Sequence, residues 1–553
     1  MNTKKRIQIC GLFCLGFALA ICFLLFYLQT IRHQEYSEKA QERVYTQTKA
    51  DTFRGQILDR NGVVLAKSLR TYAVAVSKKN VNDRETLFKV LQDTLGVPQA
   101  KLNKLWREKK NFFYVKKKVS PIDYEKLEEF LHAKKLTGVE LEREYTRLYP
   151  YEDIAKDMIG ATNSKNRGLS GLELMFDKEL SQEAPSQTVK RSRWGGIIYD
   201  KSLERQLSTA DIYLTIDSFA QYQVESILRK YAEKYKVKSA IALVQEPKTG
   251  YIVAAASYPS LDGRALPFQF TYEPGSTFKT IGAAAALDSG SIQSNSIFFM
   301  ENNKWNVNGI IIKDHQEKPW LTVSEILEVS SNIGAGKITL DLGAKTLFSY
   351  FKKFGFGIKT NVGFLGESGG ILREWETWKP IDTAKAGYGY TISVSPIQLV
   401  GAYSVFANGG TLMQPHLIDK IEYQDGRVEQ LAKPTAVRTV LQPQTVTQVR
   451  QWLENVVNKG TGKPAKVKGY RVAGKTGTTE KYNGSGKYER NAHIASFCGF
   501  VPASNPEWTI LVILDEPTAE NRALFGSASA KIFSEIASYL LAIKGVPPDD
   551  EVL

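Results

Sequence analysis

A chain of 553 residues, 43% hydrophobic and 24% charged, is too apolar to be a disordered polymer and long enough for two or three domains. Its formal charge of +15 suits anionic lipid head groups and wall polymers. Cys10, Cys14 and Cys22 lie in one N-terminal run and only Cys498 lies outside it, which excludes a disulfide-built scaffold; His33, His132, His315, His416 and His493 form no spaced cluster, so no metal site and no cofactor is expected.

Lys4-Lys5-Arg6 precedes an uncharged apolar run from Ile9 to Leu28. About 20 such residues cross a bilayer as a helix, and the basic residues ahead of them favour a cytoplasmic N-terminus with the remainder exported. The bulky stretch Phe26-Tyr27-Leu28-Gln29-Thr30-Ile31 offers no small-x-small cleavage site, so a retained anchor is expected rather than a signal peptide. Residues 1–8 then form a cytoplasmic tail and 9–28 the anchor. An exported chain without a nucleic-acid motif is not expected to bind nucleic acid. Lys116-Lys117-Lys118 reads as a solvated face rather than a phosphate patch.

Residues 32–210 mix short strands with charged helices. Asn61-Gly62 marks a tight turn before a strand at Val63 to Ala66. The segments Arg54 to Ala66, Arg147-Leu148-Tyr149-Pro150 and Gly171-Leu172-Glu173 combine arginines with acids in a way that ties a domain together. A new domain opens at the strand Asp211 to Asp217 and runs to 545, leaving 546–553 as a tail. Cys498 alternates with Phe497 in a strand pattern and reads as a buried core thiol.

Three short motifs in this second half carry the chemistry. Tyr272-Glu273-Pro274-Gly275 is turn chemistry, followed by the alanine-rich helical run Ser276 to Leu287, which places Ser276 in the first turn and Lys279 on the same face. Free N–H groups at a helix start can stabilise an oxyanion. Thr322 and Glu325 form a capping box for a helix that breaks at Ser330-Ser331-Asn332, with Gly334 and Gly336 expected to loosen the next turn. Lys475-Thr476-Gly477-Thr478 lies on a strand whose small residues let a substrate backbone approach. The polar loop Asn483-Gly484-Ser485-Gly486 and strands at Ile494 to Val501 and Trp508 to Leu514 follow. Each motif has a decoy, so context decides. Ser349-Tyr350-Phe351-Lys352 lies in an amphipathic surface helix, and Lys248-Thr249-Gly250 reads as a hairpin turn.

With these motifs, and with Pro247 to Ala254, Gly387-Tyr388-Gly389, Ser395 to Leu399, Ala407 to Gly410 and Asn458 to Gly462, the second half resembles the transpeptidase domain of the penicillin-binding proteins. The three arginine and acid segments resemble the non-catalytic pedestal of the class B, monofunctional members, and no match to a glycosyltransferase motif is found. The resemblance implies an α/β (α+β) serine-transpeptidase fold, an antiparallel sheet flanked by helices with an all-helical subregion, behind an N-terminal membrane helix and a mixed α+β pedestal.

It also implies roles. Ser276 is the nucleophile, Lys279 its base and Ser330 a proton relay. Asn332 positions the substrate backbone or Lys279. Lys475, Thr476, Gly477 and Thr478 hold the substrate, with Ser276 and Thr478 N–H groups as the oxyanion hole. The expected partners are peptidoglycan stem peptides ending in D-Ala-D-Ala, β-lactams, the cytoplasmic membrane and a membrane polymerase of the shape, elongation, division and sporulation family. Three alternatives stay open: a D,D-carboxypeptidase; a β-lactamase, for which Glu454 and Asn458 have the spacing of a water-activating motif; and a non-catalytic scaffold or β-lactam sensor.

Overall fold

The computed structural model describes residues 3–37, 45–48, 54–181, 187–191, 197–198, 209–259, 263–314, 318–482, 488–518 and 525–550. His315 and the Asn483 to Gly486 loop lie outside the described residues. A helix α1 (Thr3–Phe26), continued by a π-helical turn at Tyr27–Ile31, is long and apolar enough to cross a membrane between Ile7 and Ile31.

The chain divides into two compact units. The smaller contains 68–146 and packs the helices Arg84–Leu95, Gln99–Glu108 and Pro121–Ala133 with residues 68–77 of the strand Val64–Ser77 and the strand Phe112–Val119 around Val74, Val76, Leu87, Phe88, Leu91 and Leu127. Asp83 and Ser120 cap two of these helices with their side chains, as short polar residues at an N-cap do. Lys116 donates to Leu95 O at 2.7 Å and Lys117 lies 3.5 Å from Glu144, so these basic residues have local partners.

The larger unit contains 54–67, 147–181 and 209–553. Segments 54–67 and 147–181, which precede Asp211 in sequence, therefore cluster with the C-terminal part. Gln56 N donates to Asp211 Oδ1 at 2.6 Å on the C-terminal side, and a buried charge network ties the two segments to each other. Arg54 and Glu173 are fully buried, with Arg54 Nε donating to Glu173 Oε2 at 2.5 Å and Nη1 to Asp177 Oδ1 at 2.6 Å. Arg147 Nε donates to Glu173 Oε1 at 2.6 Å and its Nη1 to Gly55 O at 2.6 Å. Such groups leave water together or not at all. Strand Ile57–Leu58 pairs in parallel with Ala210–Leu214, the strand foreseen at Asp211.

The centre of the larger unit is a five-stranded antiparallel sheet of β1 (Ser239–Gln245), β2 (Ile252–Tyr258), β3 (Ala473–Tyr482), β4 (Tyr488–Val501) and β5 (Trp508–Asp515), in spatial order β2-β1-β5-β4-β3. Lys248-Thr249-Gly250 is the β1–β2 turn, with Gly250 at φ +80° donating to Glu246 O at 2.9 Å. Helices α2 (Ser218–Tyr235) and α7 (Phe525–Lys544) share one core with this sheet through Leu228, Val512, Phe497 and Phe533. A second core holds α3 (Lys279–Asp288), α4 (Val323–Glu328), α5 (Asn332–Leu342) and α6 (Pro443–Asn458), the helical subregion. Cys498 on β4 is fully buried in it. Ser349 is exposed on the helix Ala344–Lys353. The C-terminal segment after α7 is docked, with Asp549 accepting from Arg471 N at 2.8 Å.

Candidate active site

Ser276 lies in a 3-10 turn, Gly275–Phe278, rather than in the first turn of an α-helix, and α3 begins at Lys279. In 3-10 geometry residues i and i+3 eclipse, which sets Ser276 and Lys279 on one side. Gly275 enters the turn at φ +57°, a conformation that suits glycine. The turn is clamped from behind, since Tyr403 Oη donates to Thr277 O at 2.7 Å from a fully buried ring. Ser276 itself is partly exposed, and its Oγ makes no hydrogen bond among the described residues.

Ser330 sits where α4 ends. The Thr322–Glu325 capping box starts that helix as expected, and Ser330 leaves it in the left-handed region at φ +62°. This conformation is costly for a residue with a Cβ and persists where surroundings impose it. Ser331 then caps α5, accepting from Gly334 N at 2.9 Å. Gly334 and Gly336 do not loosen this helix. A Cβ on Gly334 would lie 2.5 Å from Ile326 Cγ1, and one on Gly336 3.0 Å from Trp305 Cζ3. Both glycines instead admit close packing on α5. Gly334→Ala is accordingly expected to cost about 1–3 kcal/mol by overpacking, read as a lower thermal midpoint.

The third motif lies on β3, the sheet edge. Its glycine also serves packing: a Cβ on Gly477 would stand 2.4 Å from Ser496 Oγ and 3.0 Å from Thr277 Cγ2, so the missing side chain lets the Ser276 turn close on the strand. Thr476 is buried and Thr478 is exposed.

The motifs meet at Ser330. Lys279 Nζ donates to Ser330 O at 2.5 Å and is 3.1 Å from Ser330 Oγ, and Lys475 Nζ is 3.1 Å from the same Oγ. Both lysines are essentially fully buried. Burial pushes the Lys279 amine down to about 7, opposed by the Asp314 carboxylate. Burial, then repulsion from Lys279, pushes Lys475 well below its ordinary value. Two amines sharing one hydroxyl titrate as a pair, and a pair this dry holds a neutral amine near pH 7. Asn332 Nδ2 donates to Lys313 O at 3.2 Å and makes no hydrogen bond to Lys279.

An open serine hydroxyl, a buried amine held near 7 and a hydroxyl bridge between two lysines, all against a sheet edge, equip this site for acyl transfer through a serine ester. Residues 240–538 match the penicillin-binding protein transpeptidase domain, and residues 49–214 match the penicillin-binding protein dimerisation domain. The chain belongs to the penicillin-binding protein family. Stage V sporulation protein D of Bacillus subtilis is 32% identical over 568 residues, covering 99% of this chain and 87% of that protein. Peptidoglycan D,D-transpeptidase FtsI of Escherichia coli is 30% identical over 563 residues, covering 98% and 92%. In fold, the chain is similar to penicillin-binding protein 3 of Mycobacterium tuberculosis, solved in complex with aztreonam, at a TM-score of 0.69 and 24% identity over 91% and 98% of the two chains.

Two further groups at the site of this penicillin-binding protein lie outside the three motifs. Asp314 accepts from Ser331 Oγ, and its Oδ1 accepts from Asn332 N at 2.6 Å and Ile333 N at 3.2 Å, holding the start of α5. Thr461 meets Thr476 Oγ1 at 2.8 Å while its N–H donates to Glu328 O at 3.1 Å, linking β3 to α4. Thr461 was visible only as part of the Asn458 to Gly462 run. Glu454 is engaged elsewhere: Arg471 grips its carboxylate at 2.8–3.0 Å, a structural ion pair on α6.

Proposed function

We propose that this chain is a peptidoglycan D,D-transpeptidase that cross-links stem peptides through an ester on Ser276. The observation that carries the reading is the shared contact of Lys279 and Lys475 with Ser330 Oγ, beside an uncommitted Ser276 hydroxyl. Ser276 Oγ attacks the carbonyl of the penultimate D-Ala, and neutral Lys279 accepts its proton. The oxyanion is met by the N–H groups of Ser276 and Thr478, worth about 3 kcal/mol per donor. Ser330 passes a proton to the departing D-Ala amine. Lys475, Thr476 and Thr478 bind the terminal carboxylate along β3, with Gly477 keeping that edge close. Asn332, turned to Lys313 rather than to Lys279, serves the substrate backbone with its free amide oxygen. An amine of a second strand then attacks the ester, and β-lactams are captured at the same hydroxyl.

The N-terminal helix acts as a single-pass anchor with the basic tail in the cytoplasm, and residues 32–210 act as a pedestal toward a membrane polymerase. A carboxypeptidase would use the same ester with water as acceptor. The Glu454–Arg471 pair disfavours a β-lactamase that activates water through Glu454.

The test is a fluorescent penicillin chase on the full-length protein in detergent, with the labelled peptide located by mass spectrometry. Label that stays on Ser276 for hours, together with formation of a peptide dimer from stem pentapeptide donors and an acceptor amine, is the expected result. Rapid turnover of the label makes the chain a hydrolase, and trimmed peptides without dimers make it a carboxypeptidase.

A further inference from the structure

Asp314 lies outside every motif, yet its carboxylate holds the middle one. It follows Lys313, the last residue of a hairpin of strands Lys304–Val307 and Ile310–Lys313. That hairpin is seated on α5. A Cβ on Gly336 would lie 3.0 Å from the Trp305 ring, and Lys313 O accepts from Asn332 Nδ2 at 3.2 Å. So placed, Asp314 accepts from three consecutive residues: the Ser331 hydroxyl, Asn332 N at 2.6 Å and Ile333 N at 3.2 Å. A carboxylate suits the free N–H groups at a helix start.

This clamp fixes what stands just before it. Ser331 N donates to Ile326 O at 2.9 Å, while Asp314 takes the Ser331 hydroxyl. Ser330 is the one residue between the C-cap of α4 at Val329 and the N-cap of α5 at Ser331, and it is bent to φ +62°. A residue keeps such a conformation only where its neighbours are held. In this turn the Ser330 carbonyl and hydroxyl both meet Lys279, and the hydroxyl also meets Lys475.

Two charged groups face Lys279: Lys475 across the Ser330 hydroxyl, and Asp314 from the hairpin. Acids on the neighbouring helices are engaged elsewhere, Glu325 by Thr322, Glu328 by Ser324 and Glu454 by Arg471. Asp314 forms no ion pair among the described residues. Burial lowers the Lys279 amine, and this carboxylate pulls it back up.

We infer that Asp314 is a positioning residue for acyl transfer: it locks the Ser330 turn that bridges the two lysines, and its negative charge steadies Lys279 once that amine has taken the Ser276 proton. A proton arriving on Lys279 stands beside the Lys475 amine in a dry site, where an opposing carboxylate makes the transfer easier. The inference rests on the acyl-transfer reading above and adds a residue to it.

The experiment follows penicillin capture by the full-length protein in detergent, by stopped flow between pH 5 and 9. In Asp314→Asn the amide oxygen still accepts from α5 while the charge is gone. Its plateau rate is expected to fall about tenfold to a hundredfold, the scale of a misplaced reacting group. The break in its profile should move about one pH unit lower, the scale of losing a neighbouring opposite charge. Ser331→Ala loosens the clamp but keeps the carboxylate, so its plateau should drop while its break stays with the wild type. Thermal midpoints identify a variant that fails to fold. If that variant is Asp314→Asn, Asp314→Glu decides, with a lower plateau and an unmoved break expected. An Asp314→Asn profile that keeps either the wild-type plateau or the wild-type break overturns the inference, as does an equal shift in Ser331→Ala or a full plateau in Asp314→Glu. A wild-type profile flat from pH 5 to 9 overturns instead the assignment of Lys279 as base, on which the inference rests.

Discussion

Lys279→Met should lower the rate constant for capture of penicillin by about a thousandfold, the scale of a lost general base, with Ser276→Ala abolishing capture altogether. The wild-type rate should rise about tenfold per pH unit below pH 7 and level off above it, because only the neutral amine accepts a proton and burial holds Lys279 at about 7. Stability should move with pH in the same direction. The folded-state value lies below the unfolded one, so between about 7 and the ordinary lysine range the unfolded chain binds more protons. Stability attributable to Lys279 therefore rises with pH through that window. Lys279→Met removes the slope and should raise the thermal midpoint at pH 6 while capture slows. Stopped-flow acylation and calorimetry across pH check both halves. A flat rate profile from pH 5 to 9 would refute Lys279 as the base.

Glu173→Gln is expected to destabilise the larger unit by about 3–5 kcal/mol, the cost of breaking a buried ion pair from one side. The carboxylate is fully buried between Arg54 and Arg147, at 2.5 and 2.6 Å, and a neutral amide leaves Arg54 paired with Asp177 and Arg147 with no ion-pair partner among the described residues, Asp211 acting on it only at longer range. Burial already pulls the Arg147 guanidinium below its ordinary value. Replacing Arg54, Arg147 and Glu173 together by apolar residues of similar volume should recover much of the loss, since the desolvation cost leaves with the charges. Urea or thermal unfolding followed by tryptophan fluorescence measures both. A change below about 1 kcal/mol for Glu173→Gln would show that water reaches the network.

The three reactive motifs were legible because each is built from local signals. Turn residues before Ser276, the Thr322 capping box and the strand pattern around Lys475 are written within a few positions of the group they present. The arginine and acid segments were legible as fasteners for the same reason: charged residues placed among apolar ones need partners. What could not be read is what those partners are.

Sequence by itself determined the family, the order of the motifs and the apolar N-terminal helix, and it singled out Ser276 and Lys279 as the proposed nucleophile and base, since these depend on residue type and spacing along the chain. Only the tertiary structure decided the rest. It set Ser276 in a 3-10 turn and Ser330 at a positive φ. It made the motif glycines packing residues, brought Asp314 and Thr461 to the site and turned Asn332 toward Lys313. It also grouped 54–67 and 147–181 with the C-terminal unit. Each of these follows from contacts between positions far apart in the chain, where close approach and desolvation select one arrangement among many that local propensity allows.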